Sequence, residues 1–190
     1  MLMKTSGLTL IELTLVIAIL SLCAILAAPS FSGLINKTKS NLLATELIQF
    51  LYASRAMATQ AGKPVIICGS IDFNSCMSSK FWSGAGVMAF IDHNNDQQFT
   101  PLTDEPFRVV DLPTGSFLAF RAFKNKNYLR WLPGGTTDTQ NGNFTYCPVS
   151  GKAEDGNHII MNVAGVIRKA RDSNQDGIVE TTQRKNIQCL

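Results

Sequence analysis

Polarity along the chain changes character twice. Residues 7–29, GLTLIELTLVIAILSLCAILAAP, are apolar apart from Glu12 and a few hydroxyls. No residue from Leu13 to Ser32 is charged, and Glu12 is the single break between Leu8 and Ser32. At about 1.5 Å per residue such a run suffices to cross a hydrocarbon core of about 30 Å. The pattern therefore predicts a transmembrane helix over 8–32. A secretory signal has a shorter apolar core of about 7–15 residues, so the segment is expected to be retained. Lys4 and the amino terminus mark its cytoplasmic side, which places the rest of the chain across the membrane.

From residue 34 to 61 the pattern becomes amphipathic. Leu34, Leu42, Ile48, Leu51 and Ala58 recur near a 3.6-residue period, with Lys37, Lys39, Glu46 and Arg55 between them. Gly62 and Pro64 stop the helix. Beyond them the rhythm shortens. Strand-like runs fall at 64–68, 86–92, 106–112, 116–123, 128–132, 143–149 and 158–170, rich in Val, Ile, Phe and Tyr and separated by Gly, Asn and Asp. The expected fold is α+β: a long N-terminal helix, transmembrane then amphipathic, packed on antiparallel β-sheet. Pro29 is expected to bend the helix.

Composition changes this picture little. The chain has 190 residues, room for one compact domain beside the N-terminal element. Net charge is +3, which permits contact with nucleic acid or anionic lipid without demanding it. Cysteines add more. Cys23 lies in the apolar run; Cys68, Cys76, Cys147 and Cys189 lie outside it, form no CxxC and stand far from His93 and His158. Zinc spacing is absent. Four cysteines allow three pairings; sequence proximity favours Cys68–Cys76, which leaves Cys147–Cys189. Four buried thiols are the alternative.

Glu12 is the anomaly. A carboxylate in an apolar span needs a partner, and Lys4, Thr9 and Thr14 do not explain its placement well. A cut after Gly7 would create a charged amino group at Leu8, one helical turn away. KTSG followed by LTLIEL resembles the type III signal of type IV pilins and pseudopilins. The resemblance implies a prepilin peptidase that cuts after Gly7 and methylates Leu8, although Phe or Met is commoner at that position. It also implies an assembly role for Glu12 and a helix-bending role for Pro29. Downstream, FWSGAGVMAFIDHNNDQQF, DEPFRVVDLPTG, LRWLPGG, NGNFTYC and NVAGVIRK resemble the GspH/FimT family of minor pseudopilins and minor pilins.

That family implies a type IV pilin-like architecture with a leader over 1–7, a transmembrane segment over 8–32, an amphipathic helix over 33–61 and a periplasmic β-rich domain over 62–190. It implies a single-pass inner-membrane protein that enters a pilus or pseudopilus, with other minor and major pilins or pseudopilins as partners. The expected function is a minor subunit that primes or forms the tip of a type IV pilus-like filament. The alternatives are a DNA-binding minor pilin of natural transformation and the H-type minor pseudopilin of type II secretion.

Candidate chemistry is sparse. GxSxG, P-loop, HExxH and dinucleotide glycine patterns are absent, and no catalytic residue is assigned. Two Asx-rich stretches imitate calcium loops: Asp92, Asn94 and Asp96, and Asp172, Asn174 and Asp176 with Gly177. Neither has Glu at the twelfth position, where Thr103 and Gln183 stand, so plain turns are the simpler reading. Calcium in the second loop is the better candidate of the two; no other cofactor is expected. Arg121, Lys124, Lys126 and Arg130 form one acid-free basic group, and Arg168, Lys169 and Arg171 another; both are candidate phosphate contacts. Some FimT-like relatives bind DNA through a GRxR-type element. The matching stretch here is Gly165-Val166-Ile167-Arg168, in which Val166 replaces the first arginine.

Overall fold

The computed structural model describes residue 7, residues 9–139 and residues 141–189, with the side chains of 26–32 and 105 left undescribed. A single helix, α1, runs from Leu10 to Ala61. The chain divides into two compact units, one ending at Ile35 and the other running from Asn36.

In the first unit, α1 is apolar all round. Leu10, Ile11, Leu13, Leu15, Val16, Ile17, Ile19, Leu20, Leu22 and Ile25 are all about half exposed or more. Two of its hydroxyls bond its own backbone: Thr14 donates to the Ile11 carbonyl at 3.0 Å and Ser21 to that of Ala18 at 2.8 Å. Among the described residues, however, no helix is long and apolar enough to cross a membrane. The described apolar side chains from Leu10 to Ile25 span about 24 Å at 1.5 Å per residue, short of a core of about 30 Å. The expected transmembrane segment over 8–32 is corrected accordingly. So is the single-pass inner-membrane placement with a periplasmic domain, which depended on it.

In the second unit α1 buries one stripe: Leu43, Ala44, Leu47, Phe50, Leu51, Ser54 and Ala58. These positions follow the i, i+3/i+4, i+7 rule closely. The phase differs from the expected one, since Leu34 and Leu42 are 62% and 65% exposed. Gly62, at φ 62°, supplies the left-handed residue that ends the helix.

Among the described residues nine strands follow: β1 (Val65–Ser70), β2 (Phe81–Trp82), β3 (Gly86–Ile91), β4 (Glu105–Asp111), β5 (Phe117–Ala122), β6 (Tyr128–Trp131), β7 (Gly142–Cys147), β8 (Asn157–Met161) and β9 (Ile167–Lys169). They form two antiparallel sheets, ordered β4-β3-β1-β6 and β2-β5-β7-β8-β9. One core joins the helix stripe to both sheets. Val65, Ile67, Ala89, Leu129 and Trp131 come from the first sheet, and Trp82, Phe120, Phe144, Ile159 and Ile167 from the second.

Every residue of β1 and β3 is buried. The reason is a second small cluster on the far face of the first sheet, where Ile66, Cys68, Met88 and Phe90 meet Phe73, Cys76, Phe99 and Tyr128. Two-sided cover explains why these strands read as continuous apolar runs rather than alternating ones. Trp82 packs so closely on β1 that a Cβ at Gly69 would lie 2.3 Å from its ring. Its indole stacks on Phe120 at 5.1 Å, and Phe120 stacks on Phe144 at 4.8 Å.

The run at 158–170 is two strands rather than one. Asn162 accepts from the Val166 amide through its side chain at 2.9 Å, and the Gly165 amide donates to the Asn162 carbonyl at 3.0 Å. Gly165, at φ 80°, turns the chain so that β9 pairs back on β8. After β9 the chain crosses the outer face of the second sheet without further helix or strand among the described residues. Ala170, Val179 and Ile187 pack there against Ile160 and Ala153. Two disulfides are present, Cys68–Cys76 and Cys147–Cys189; the second fixes this tail to β7.

Candidate functional site

Two regions carry candidate function: the start of α1 and the outer face of the second sheet. At the helix start, Gly7 is exposed; Leu8 and residues 1–6 lie outside the described residues. Thr9 precedes the first helical residue, and Glu12 is the third. The Thr9 amide and hydroxyl both donate to Glu12 Oε2 at 2.9 Å, while the Glu12 amide approaches Thr9 Oγ1 at 3.4 Å. This is a capping box, in which N-cap and third residue satisfy each other's backbone donors. Among the described residues, then, the partner of Glu12 is Thr9, one of the nearby polar groups that do not explain its placement on sequence alone. The signal was present as T-x-x-E immediately before an apolar run.

The predicted basic residues separate. Arg168, Lys169 and Arg171 line one groove, joined by Arg184 from the tail. Lys169 donates to Asn41 Oδ1 at 2.7 Å; burial, with Lys37 nearby, lowers its ammonium pKa. Arg121, Lys124, Lys126 and Arg130 do not join that groove. Arg130 lies 3.5 Å from Asp138 and also bonds Asn95, on the first sheet. Lys126 bonds the Tyr128 hydroxyl at 2.5 Å. Lys124 stands in a 3-10 turn after β5 at φ 62°. Arg121 faces outward from β5.

The Asx loops hold themselves. Asp172 accepts from the Gln175 and Gly177 amides at 2.7 and 2.8 Å. Asp176 accepts from the Ile178 amide and the Asn186 and Asn174 side chains, and these bonds, Asn186 first, lower its pKa. Glu180, buried, accepts from the Ser173 and Asn174 amides. The loop at Asp92 is similar, with Asp92 taking the Asp96 and Gln97 amides and Asp104 those of His93 and Thr100. Among the described residues, no group of three or more His, Cys, Asp or Glu side chains is placed to hold a metal ion.

Two residues not assigned a role from sequence hold positions of note. Arg55, on α1, donates to the carbonyls of Gly135 at 2.6 Å and Gly165 at 3.0 Å, and its guanidinium lies 5.9 Å from the Trp131 ring centroid. One side chain thus fastens turns from both sheets to the helix. His158, on β8, is 1% exposed, with Nδ1 2.9 Å from Thr145 Oγ1 and a buried Nε2 that has no hydrogen-bond partner among the described residues. Burial, reinforced by Arg121, lowers its pKa from 6.5 to about 4, so the ring is neutral near pH 7.

Comparison with known proteins places this architecture. Residues 43–165, nearly two thirds of the chain, match the family described as Type II transport protein GspH. Among solved structures, the type IV minor pilin FimU of Pseudomonas aeruginosa (strain PAO1) in one crystal form superposes with a TM-score of 0.53 at 18% identity, over 80% of this chain and 96% of that one. A second crystal form of FimU gives 0.50 at 21% identity, over 71% and 94%. The minor pseudopilin EpsH of the Vibrio cholerae Type 2 Secretion System gives 0.47 at 12%, over 68% and 94%, a level that adds nothing to the fold assignment. No protein of curated function matches the sequence significantly. The FimU likeness extends to the fold, a helix packed on antiparallel sheet. The family match reaches further: the chain belongs to the GspH family and is a structural, non-catalytic minor pilin or pseudopilin subunit of a type IV pilus-like or type II secretion-like assembly.

Proposed function

We propose that the chain is the H-type minor pseudopilin of a type II secretion system. One observation carries this reading: the match to the type II transport family runs from the helix stripe at Leu43 through both sheets to the β8–β9 turn at Gly165. Maturation follows from the signal at its start. A prepilin peptidase removes residues 1–7 by cutting after Gly7 and methylates Leu8. Glu12 then lies one turn from the new amino group. The capping geometry supports this role, because it fixes the carboxylate at the start of α1, within reach of the amino terminus of an adjacent subunit. The apolar surface from Leu10 to Ile25 is buried against the corresponding helices of neighbouring pseudopilins.

A clean deletion tests the proposal. Exoprotein release is lost while pili and DNA uptake remain. Loss of pili instead would favour priming or tip formation in a type IV pilus. Mass spectrometry of assembled subunits should find a methylated Leu8 as the first residue.

The groove that gathers Arg168, Lys169, Arg171 and Arg184 favours a second reading, sequence-independent DNA contact. Replacing Arg168, Lys169 and Arg171 together by Gln then lowers both DNA retention and its salt dependence. Unchanged retention rejects it.

A further inference from the structure

The outer face of the second sheet holds a second cleft, which adjoins the arginine groove across Thr181 and Thr182. Strand register builds its floor. Phe81, Ala119, Thr145 and His158 stand opposite one another across β2, β5, β7 and β8, and Arg121 is opposite Asn143 in an adjacent row. Side chains in one such row share a face. The tail from Thr181 to Gln188 forms the far wall, and the open cleft has a volume of about 480 Å³.

Three features of this cleft point the same way. First, among the described residues no carboxylate lines it, while Arg121 and Lys185 do. Neither cation is in an ion pair among the described residues. Second, His158 on the floor is 1% exposed, and its Nε2 has no hydrogen-bond partner among the described residues. A buried polar atom left without a partner carries a desolvation cost that a bound polar group removes. Third, one end is apolar: Phe81 is 47% exposed and meets Phe117 edge-on at 6.3 Å between ring centroids. Two cations, polar donors and an exposed aromatic ring make a surface for an anion with an apolar neighbour.

We propose that this cleft binds a carboxylate flanked by an apolar side chain, carried on an extended segment of a neighbouring subunit. The ligand chemistry rests on the geometry of the cleft; that a neighbouring subunit supplies it rests on the filament reading above. Charge complementarity selects a peptide segment, because the positive lining of Arg121 and Lys185 is matched by one acidic group and the Phe81–Phe117 end by one hydrophobic group.

Nuclear magnetic resonance on the isotope-labelled full chain tests it, with hexanoate, acetate and inorganic phosphate as probes. Hexanoate shifts the resonances of Thr145, His158 and Lys185 saturably and binds about tenfold tighter than acetate, from burial of its methylenes. Arg121→Gln with Lys185→Gln abolishes the saturable response and leaves the remaining spectrum in place, since both residues are exposed. Phe81→Ala keeps acetate binding and removes the advantage of hexanoate. Phosphate acting as well as hexanoate would mean diffuse counterion attraction and overturn the proposal, as would no saturable shift. Hexanoate binding intact in a strain whose secretion is unaffected by deletion would remove the neighbouring subunit as the source of the ligand. A secretion defect without hexanoate binding would remove the cleft and leave the subunit assignment standing.

Discussion

At the scale of single residues, His158 links burial to acid sensitivity. Its pKa falls from 6.5 to about 4 on folding, first through burial and then through Arg121. Between these values the unfolded chain binds a proton that the folded chain does not. The stability this group contributes is therefore complete above about pH 6.5, is lost as pH falls, and levels off below about pH 4. The loss from pH 7 to pH 5 is about 2 kcal/mol. Urea unfolding at both pH values checks this, and His158→Gln flattens the dependence. Carboxylates with lowered values, such as Asp176, give up their contribution at lower pH and leave this window to the histidine. Gly165 gives a second residue-scale prediction. Its φ is 80°, and an added Cβ would lie 2.8 Å from the Arg55 guanidinium and 2.9 Å from the Gly135 carbonyl. Gly165→Ala should lower unfolding free energy by about 2 kcal/mol, read as a shift in urea midpoint without a change in slope. If Gly165→Ala leaves the midpoint in place, Arg55 does not clamp the turn.

At the scale of elements, the two disulfides differ in what they close. Cys147–Cys189 spans 42 residues and Cys68–Cys76 spans 8. On chain entropy alone their removal costs about 4 and about 2.6 kcal/mol respectively. The longer bridge holds a tail whose other anchors are Glu180, a two-residue bridge to Asn186, and the small cluster of Ala170, Val179 and Ile187. Replacing Cys147 and Cys189 by Ala should raise amide exchange from 171 to 188 well before it changes β1 or β3. Uniform loss of protection would show the tail to be integral to the core.

The elements also show where sequence patterning stops. Helix and most strands were legible because their periods are imposed by burial on one face or two. The phase of the α1 stripe was not, because Leu34 and Leu42 are as apolar as Leu43 and Leu47, and only the sheet decides which face is covered. β2 is two residues long and held by Trp82 against Gly69, a tertiary contact with no local period. The β8–β9 turn was hidden because Val163 and Ala164 continue an apolar run through it. At the site, the basic residues were visible as types. Their separation into Arg168, Lys169 and Arg171 on one groove and Arg121 on another cleft depends on strand register, which the sequence does not display.

At the scale of the whole molecule, the two units have different energetic characters. The unit from Asn36 onward buries its apolar surface against itself, through a main core shared by helix and both sheets and two smaller clusters on the outer faces of the sheets. Phe50 is fully buried at the centre of the helix stripe. Phe50→Ala should cost about 3–5 kcal/mol and loosen both sheets together in a single thermal transition. The stretch from Leu10 to Ile25 has no such internal cover. Its stability as a helix rests on backbone bonds, the Thr9–Glu12 cap and whatever it packs against in an assembly. Glu12→Gln keeps a hydrogen-bonded cap and removes the charge. If the carboxylate serves assembly, this variant should accumulate normally and enter filaments poorly; normal entry would reduce Glu12 to a cap.

Both tryptophans of the chain, Trp82 and Trp131, are fully buried in the main core of the second unit, which joins the helix to both sheets. Intrinsic fluorescence is therefore an optical gauge of that core alone. Excited near 295 nm, the protein should emit on the blue side in water and redden only when the helix stripe parts from the sheets. Events confined to the first thirty-five residues, including the proposed removal of residues 1–7 and the proposed helix-to-helix packing in a filament, should pass without altering the emission colour.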